Sequence, residues 1–323
     1  MRRTNPFQPI YDACNNGDAS EKHKRLPWFP RLVDIEPTSA CNFRCVFCPT
    51  GNRSIVRTTG FMDQRTFYSI LSECAPHETP IRFIGWGEPL LHPNIVTWIK
   101  ACTEVGVVSH INTNGSSLDD EMIDALFESG LSSIKISFQG ADKATFLEMR
   151  KTDFFDELMT VIERIGKIRG DSVLPYIAVS TSTTDEPDDM VDKFRARLES
   201  LVDHVSIGKT VFGFMDLKSA RLKPDEIARY EKLAELEKGT LRHPDPCPEV
   251  YDKISIHWDG TGHVCCNDFD GLTNLGAVGE QTLSEMWLAQ QMKEYRERLA
   301  KKEYTGKLCS NCFDYACLTK AGT

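Results

Sequence analysis

The chain has 323 residues, 41% of them apolar and 26% charged, with a net charge of −9 and twelve cysteines. That composition is of an ordinary globular protein with room for a sizeable core. No apolar run approaches the roughly 18 residues a bilayer span needs, and the acidic balance argues against a nucleic-acid backbone as main ligand.

The N-terminal arm, residues 1–30, opens with two arginines but has no apolar signal-peptide stretch, so a cytoplasmic location is expected. In a reducing compartment, clustered cysteines point to metal rather than to disulfides. From residue 31 the pattern alternates β-rich runs with amphipathic stretches. Strands are expected at 31–37, 81–87, 107–115, 132–140, 176–183 and 203–213, with helices at 63–75, 94–106, 119–130, 154–170 and 187–201 between them. Each strand is apolar enough to be buried on both faces, which implies a parallel sheet, either an open doubly wound sheet or an incomplete barrel.

A charged helical stretch follows at 222–239, and a domain boundary is expected within 217–246. The tail offers a hairpin at 253–268 with Asp259-Gly260 as its turn dipeptide, a helical segment at 282–302, and a closing "CSNCFDYAC".

Cys14, Cys74 and Cys102 stand alone and read as small buried apolar residues. The other cysteines form two groups, the first being Cys41, Cys45 and Cys48 in "ACNFRCVFCPTG". Composition alone gives roughly 0.02 such C-x3-C-x2-C triples in a chain of this kind. A structural zinc site would want a fourth Cys or His at finger-like spacing, and Cys74 and His77 are remote. A cubane held by three thiolates leaves one iron open to a further ligand. The cysteine loop, "GWGEP" (85–89), "NTNG" and "SFQG" all follow strands, on the rim where ligands bind in either parallel architecture.

"CNFRCVFC" resembles the C-x3-C-x-aromatic-C signature of the radical S-adenosylmethionine (SAM) superfamily, with Phe47 at the aromatic position. The resemblance implies a partial (β/α)6 TIM-like barrel over 31–216, a linker at 217–246, and a [4Fe-4S] cluster on Cys41, Cys45 and Cys48 whose open iron chelates SAM. "GWGEP" resembles the family's G-G-E-P motif. By carry-over, Gly85, Gly87 and Glu88 would receive the SAM amino group, with Trp86 departing from the run of glycines. Asn114 in "INTNG" would lie near the ribose or methionine part, and Ser137 in "KISFQG" would be a polar contact. Gln139 stands where many relatives carry Asp. Arg150 in "FLEMR" matches an arginine that pairs with the SAM carboxylate, a natural use of a guanidinium fork.

The tail, 247–323, resembles the SPASM module in its shortened Twitch form. That implies a second, auxiliary [4Fe-4S] cluster on Cys247, Cys265, Cys309 and Cys312, with Cys317 as rival ligand. Cys266 is set aside because neighbouring residues of a hairpin point to opposite faces. A zinc ribbon remains the competing reading of the C-x2-C pair.

The implied activity is reductive cleavage of SAM to a 5'-deoxyadenosyl radical that removes hydrogen from substrate, fed by a flavodoxin- or ferredoxin-type reductant. The short arm leaves no room for a peptide-binding domain, so a small polar substrate such as a sugar or aminocyclitol is expected, oxidised or epimerised. A SPASM-type peptide maturase is the alternative, and a non-catalytic electron carrier or zinc module is the reading from another class. Thr181, Thr183 and Lys209 are expected to face the cavity.

Overall fold

The computed structural model describes residues 3–15, 17–212, 222–237, 247, 249–301, 303 and 307–310. Six parallel strands, β1 (Leu32–Ile35), β2 (Ile81–Phe83), β3 (Ser109–Thr113), β4 (Ser133–Ser137), β5 (Tyr176–Thr183) and β6 (His204–Lys209), lie in chain order across one sheet. This is the barrel-type sheet expected from the alternating pattern. Each βα unit adds one strand beside the last because a parallel neighbour requires a crossover, and a helix provides it.

Two helices, α1 (Gln8–Asn15) and α2 (Ala19–Lys24), precede the sheet. Phe7, fully buried beside α1, meets His110 of β3 edge to face at 5.5 Å. Lys22 of α2 is buried and ion-paired with Asp252 at 2.7 Å. The arm is thus packed against the barrel and not free of it.

After β1 come α3 (Pro49–Asn52), inside the cysteine loop, and α4 (Gln64–Cys74). The crossovers continue with α5 (Ile95–Glu104), α6 (Asp120–Glu128), α7 (Lys143–Arg150), α8 (Phe155–Arg169) and α9 (Asp188–Glu199). Asp63, Asp119 and Asp142 cap α4, α6 and α7 by accepting from backbone N–H groups of the first turn, which satisfies donors a helix start leaves orphaned. The apolar stripe of α4 buries Phe67, Ile70 and Leu71. Phe67 stacks on Trp98 of α5 with centroids 4.4 Å apart and planes 8° from parallel. Burial of such stripes is the main source of stability for the layer outside the sheet.

The charged helix α10 (Pro224–Glu237) stands before the tail. The tail begins with α11 (Glu249–Asp252), then β7 (Lys253–Ile256), which pairs in parallel with β1, and β8 (Gly262–His263), antiparallel to β7. The hairpin is therefore real but shorter than 253–268, and its first strand extends the barrel sheet. Gly260 takes φ +84 in the turn, the conformation the Asp-Gly pair announces. Helices α12 (Leu283–Trp287), α13 (Gln290–Ala300) and α14 (Lys307–Ser310) complete the described tail.

Candidate functional site

The loops leaving the C-terminal ends of β1 to β6 surround a cavity of about 360 Å³. Cys41, Cys45, Cys48, Phe47, Gly85, Gly87, Glu88, Asn114, Ser137 and Arg150 all line it. Residues more than a hundred positions apart in sequence thus share one wall system.

The cysteine loop is held rigidly. Val46 N–H donates to the Met149 carbonyl at 2.9 Å, latching the loop to the end of α7. The Asn52 amide donates to the Val46 carbonyl at 3.0 Å. A Cβ on Gly51 would sit 2.3 Å from the Cys45 carbonyl oxygen, so only glycine lets α3 approach the loop. Burial raises all three thiols, Cys41 to about 11 and Cys48 to about 12. Such thiols give up their protons to a metal rather than to water, so site assembly is coupled to proton release.

The "GWGEP" segment is fixed from below by β1. A Cβ on Gly87 would lie 2.0 Å from the Thr38 carbonyl oxygen, and one on Gly85 would lie 2.6 Å from Glu36 Cγ. Glu88 is 2% exposed. Its carboxylate accepts from Thr113 Oγ1 and Asn114 N–H, both at 2.7 Å, and from Leu90 N–H at 3.1 Å. Burial raises the Glu88 pKa despite those donors. Asn114 donates to Asn42 Oδ1 at 2.9 Å and accepts from Ser116, so it ties the end of β3 to the cysteine loop.

Arg150 is buried, with Nη2 donating to the carbonyls of Ser137 and Phe138, each at 2.9 Å. Its guanidinium carbon lies 5.8 Å from the Phe43 ring centroid and 5.9 Å from that of Phe47, while Nε is sealed and unpartnered. Three thiols beside a cation and a glycine-lined backbone edge form a donor set that fits a cubane with one open iron and an anionic chelating ligand.

Trp86, in the place where the motif resemblance fails, lines the cavity and donates from Nε1 to the Cys266 carbonyl at 2.9 Å. Nothing in the motif pattern announces that contact. Thr181, Thr183 and Lys209 do not line the cavity. Thr181 and Thr183 are buried against the Gly140 and Gly208 carbonyls, and Lys209 reaches the Thr184 carbonyl in solvent. The period-2 phase of β5 is the reverse of the expected one, and Ser182 and Thr210 take the cavity positions. Gln139 spans them, donating to the Ser182 carbonyl at 2.8 Å and to Thr210 Oγ1 at 2.7 Å.

In the tail, Cys247 and Cys309 are buried and Cys265 is half-buried. The Cys266 thiol and burial push the Cys265 thiol up, with Cys247 adding to them, and burial raises the Tyr295 hydroxyl with Cys309 and Cys265 adding to it. These thiols therefore share a neighbourhood, and Asn267 N–H points at Cys265 Sγ at 3.3 Å. A grouped thiol set with an amide aimed at sulfur suits an iron-sulfur cluster. Cys312 and Cys317 lie outside the described residues. The argument from alternating faces does not hold for Cys266. Residues 265 and 266 follow β8 in a turn, and both sulfurs lie within 4.8 Å of each other and of a Glu249 oxygen.

Residues 35–198 match the radical SAM superfamily, and residues 247–313 match SPASM, an iron-sulfur cluster-binding domain. The first match spans half the chain, and the chain belongs to the radical SAM superfamily, whose cofactors are a [4Fe-4S] cluster and SAM. It is 34% identical over 148 residues to the GTP 3',8-cyclase of Chlorobaculum tepidum, 42% of each chain. It is 31% identical over 124 residues to the PqqA peptide cyclase of Methylorubrum extorquens, 36% of this chain and 32% of that one. The matches span less than half the length of these curated relatives. Streptococcus suis SuiB, crystallised with precursor peptide SuiA, superposes with a TM-score of 0.64 at 16% identity, over 85% of this chain and 68% of that one. At that identity the likeness concerns the fold. No helix among the described residues is long and apolar enough to cross a membrane.

Proposed function

We propose that this chain is a radical SAM peptide maturase, removing hydrogen from a residue of a peptide substrate. The observation that carries this reading is the pairing of a peptide cyclase among its sequence relatives with a peptide-bound SuiB among its fold relatives. Those similarities favour a peptide over the sugar or aminocyclitol expected above. The same cavity, with a motif edge and a thiol loop on one rim, disfavours a simple electron carrier or zinc module.

In this reading Cys41, Cys45 and Cys48 hold the cluster, and the main chain of Gly85, Gly87 and Glu88 receives the SAM ammonium. Arg150 pairs with the SAM carboxylate, and Phe47, Asn114 and Ser137 shape the rest of its bed. Held there, and given an electron from a flavodoxin- or ferredoxin-type donor, the cluster and SAM would supply the radical chemistry that removes hydrogen from substrate. The chain's own work is to hold the reacting groups in register and keep water out. Both amide hydrogens of Gln139 are used, so Oε1 is the atom left to accept from a substrate donor such as a peptide N–H. Cys247, Cys265, Cys309 and Cys312 hold the auxiliary cluster in this reading.

The test is anaerobic turnover of reconstituted enzyme with SAM and reductant, comparing deuterated peptide pools with deuterated sugar and aminocyclitol pools. Deuterium appearing in 5'-deoxyadenosine from peptides alone supports the maturase. Transfer from the sugar or aminocyclitol pool alone refutes it, and no 5'-deoxyadenosine under any condition refutes the enzyme reading altogether.

A further inference from the structure

Outside the SAM-site cavity, the chemistry-bearing group that stands out is the close set of Glu249, Cys265 and Cys266, whose ligand atoms all lie within 4.8 Å of one another. Glu249 opens α11 only two positions after Cys247, while the two cysteines follow β8. The hairpin of β7 and β8 brings these segments together, so the juxtaposition is built by the fold and not by local sequence.

The two carboxylate oxygens of Glu249 are used unequally. The Lys253 ammonium, one helical turn on, holds Oε1. Oε2 is sealed from solvent and has no hydrogen-bond partner, on a side chain that is only 12% exposed. A buried carboxylate oxygen without a partner costs free energy of the order of 1–3 kcal/mol. Such an atom in a native fold calls for an explanation, and a bound metal is one of the few available. Here the carboxylate lies within 4.8 Å of two thiols in a domain that matches an iron-sulfur family. Iron accepts oxygen as well as sulfur donors, and cluster potentials respond to the identity of each ligand.

We propose that Glu249 is an oxygen ligand of the auxiliary cluster and takes the fourth position given above to Cys312, its Oε2 binding the one iron that Cys247, Cys265 and Cys309 do not hold. Lys253 is a positioning residue in this arrangement. Its ion pair fixes the carboxylate so that the second oxygen is presented to the metal, as outer-shell partners do at other metal sites. Cys266 lies alongside, and its carbonyl is already committed to Trp86. The proposal rests on the iron-sulfur assignment of the tail and is independent of what the substrate is.

The experiment uses the full chain, reconstituted anaerobically, with iron analysis, Mössbauer and EPR spectra. The spectra are repeated with Cys41, Cys45 and Cys48 replaced by alanine, so that only the auxiliary signal is read. Wild type is expected to hold about eight irons per chain, as two cubanes require. Glu249→Ala should lose about one iron and show the signal of an oxidised three-iron cluster, Glu249→Cys should restore a four-iron spectrum, and Lys253→Met, which loosens the carboxylate without removing it, should keep the iron but shift the spectrum. An unchanged iron count and spectrum in Glu249→Ala overturns the assignment. So does equal loss of iron in Glu249→Ala and Lys253→Met, because that is what a purely structural ion pair predicts. A wild-type tail that binds zinc, or no metal, overturns the iron-sulfur reading and the ligand with it, while leaving SAM cleavage at the first cluster to be scored separately.

Discussion

The indole Nε1 of Trp86 donates to the backbone carbonyl of Cys266 at 2.9 Å, joining the SAM-side motif to the auxiliary cysteine pair across 180 positions of sequence. The ring also meets Phe269 edge on, at 5.3 Å, and its main-chain N–H donates to Glu36 at 3.1 Å. Glu36 in turn holds Arg57, the residue that reaches the Phe269 carbonyl. The residue that breaks the glycine run is therefore the contact through which the two halves of the site are registered.

Trp86→Phe keeps an aromatic ring but removes the donor, a loss of about 0.5–1.5 kcal/mol, together with the packing of the indole's second ring. The expected outcome is an altered EPR signal of the auxiliary cluster with an unaltered SAM-site cluster, and 5'-deoxyadenosine formed in excess over product. A product-to-5'-deoxyadenosine ratio equal to wild type would show that the contact is structural only.

Arg150 offers a second check. Its Nη2 is spent on two backbone carbonyls, and its buried Nε has none, so the guanidinium is positioned with donor capacity in reserve. A charge-assisted hydrogen bond is worth about 1.5–3 kcal/mol, and lysine cannot reproduce a planar fork. Arg150→Lys should weaken SAM binding about ten- to a hundredfold, as read by equilibrium dialysis of the reconstituted enzyme, with the iron content unchanged. Unchanged SAM affinity would remove Arg150 from the cofactor's contacts.

Most of the barrel was legible because a buried parallel strand writes itself as a short apolar run and each covering helix as a 3.6-residue stripe. The thiol loop and "GWGEP" were legible because tight backbone approach leaves glycines and metal leaves cysteines at fixed spacing. The phase of β5 was not, since Ser180, Thr181, Ser182 and Thr183 are all small and polar and carry no contrast between faces. Nor was the pairing of β7 with β1, a contact between segments over two hundred residues apart. Nor was the placement of the Cys266 sulfur beside that of Cys265, because strand alternation does not extend past Gly262–His263 into the turn.

His110 makes the barrel floor sensitive to acid. Burial, with Lys135 and Arg82 adding to it, lowers its pKa from 6.5 to about 3, and the neutral ring is bonded to Ser133 at 2.9 Å and to Asn112 at 2.7 Å. Because the folded pKa is depressed below the unfolded one, its stability contribution is complete above about pH 6.5 and is lost as pH falls toward about 3. At pH 5, about 1.5 units below the unfolded value, the loss amounts to about 2 kcal/mol. Denaturant melts of wild type and His110→Gln at pH 7.5 and pH 5 should show the larger drop in wild type. Equal drops would place the acid sensitivity elsewhere.

Below the cavity, Asp34 of β1 and Arg82 of β2 face each other at paired positions of the parallel ladder. Arg82 Nε and Nη2 donate to the two oxygens of Asp34 at 2.6 and 2.7 Å, with Asp34 2% exposed. Burial opposes the charged guanidinium, but the Asp34 carboxylate outweighs it and drives the Arg82 pKa well above its ordinary value. Removing one partner leaves the other charge buried and uncompensated, which costs about 3–5 kcal/mol. Replacing both by apolar residues avoids that penalty. Asp34→Ala should therefore lower the urea midpoint far more than Asp34→Leu combined with Arg82→Met. If the double variant is as unstable as the single one, the pair is contributing net stability to the barrel, and desolvation is not what governs it.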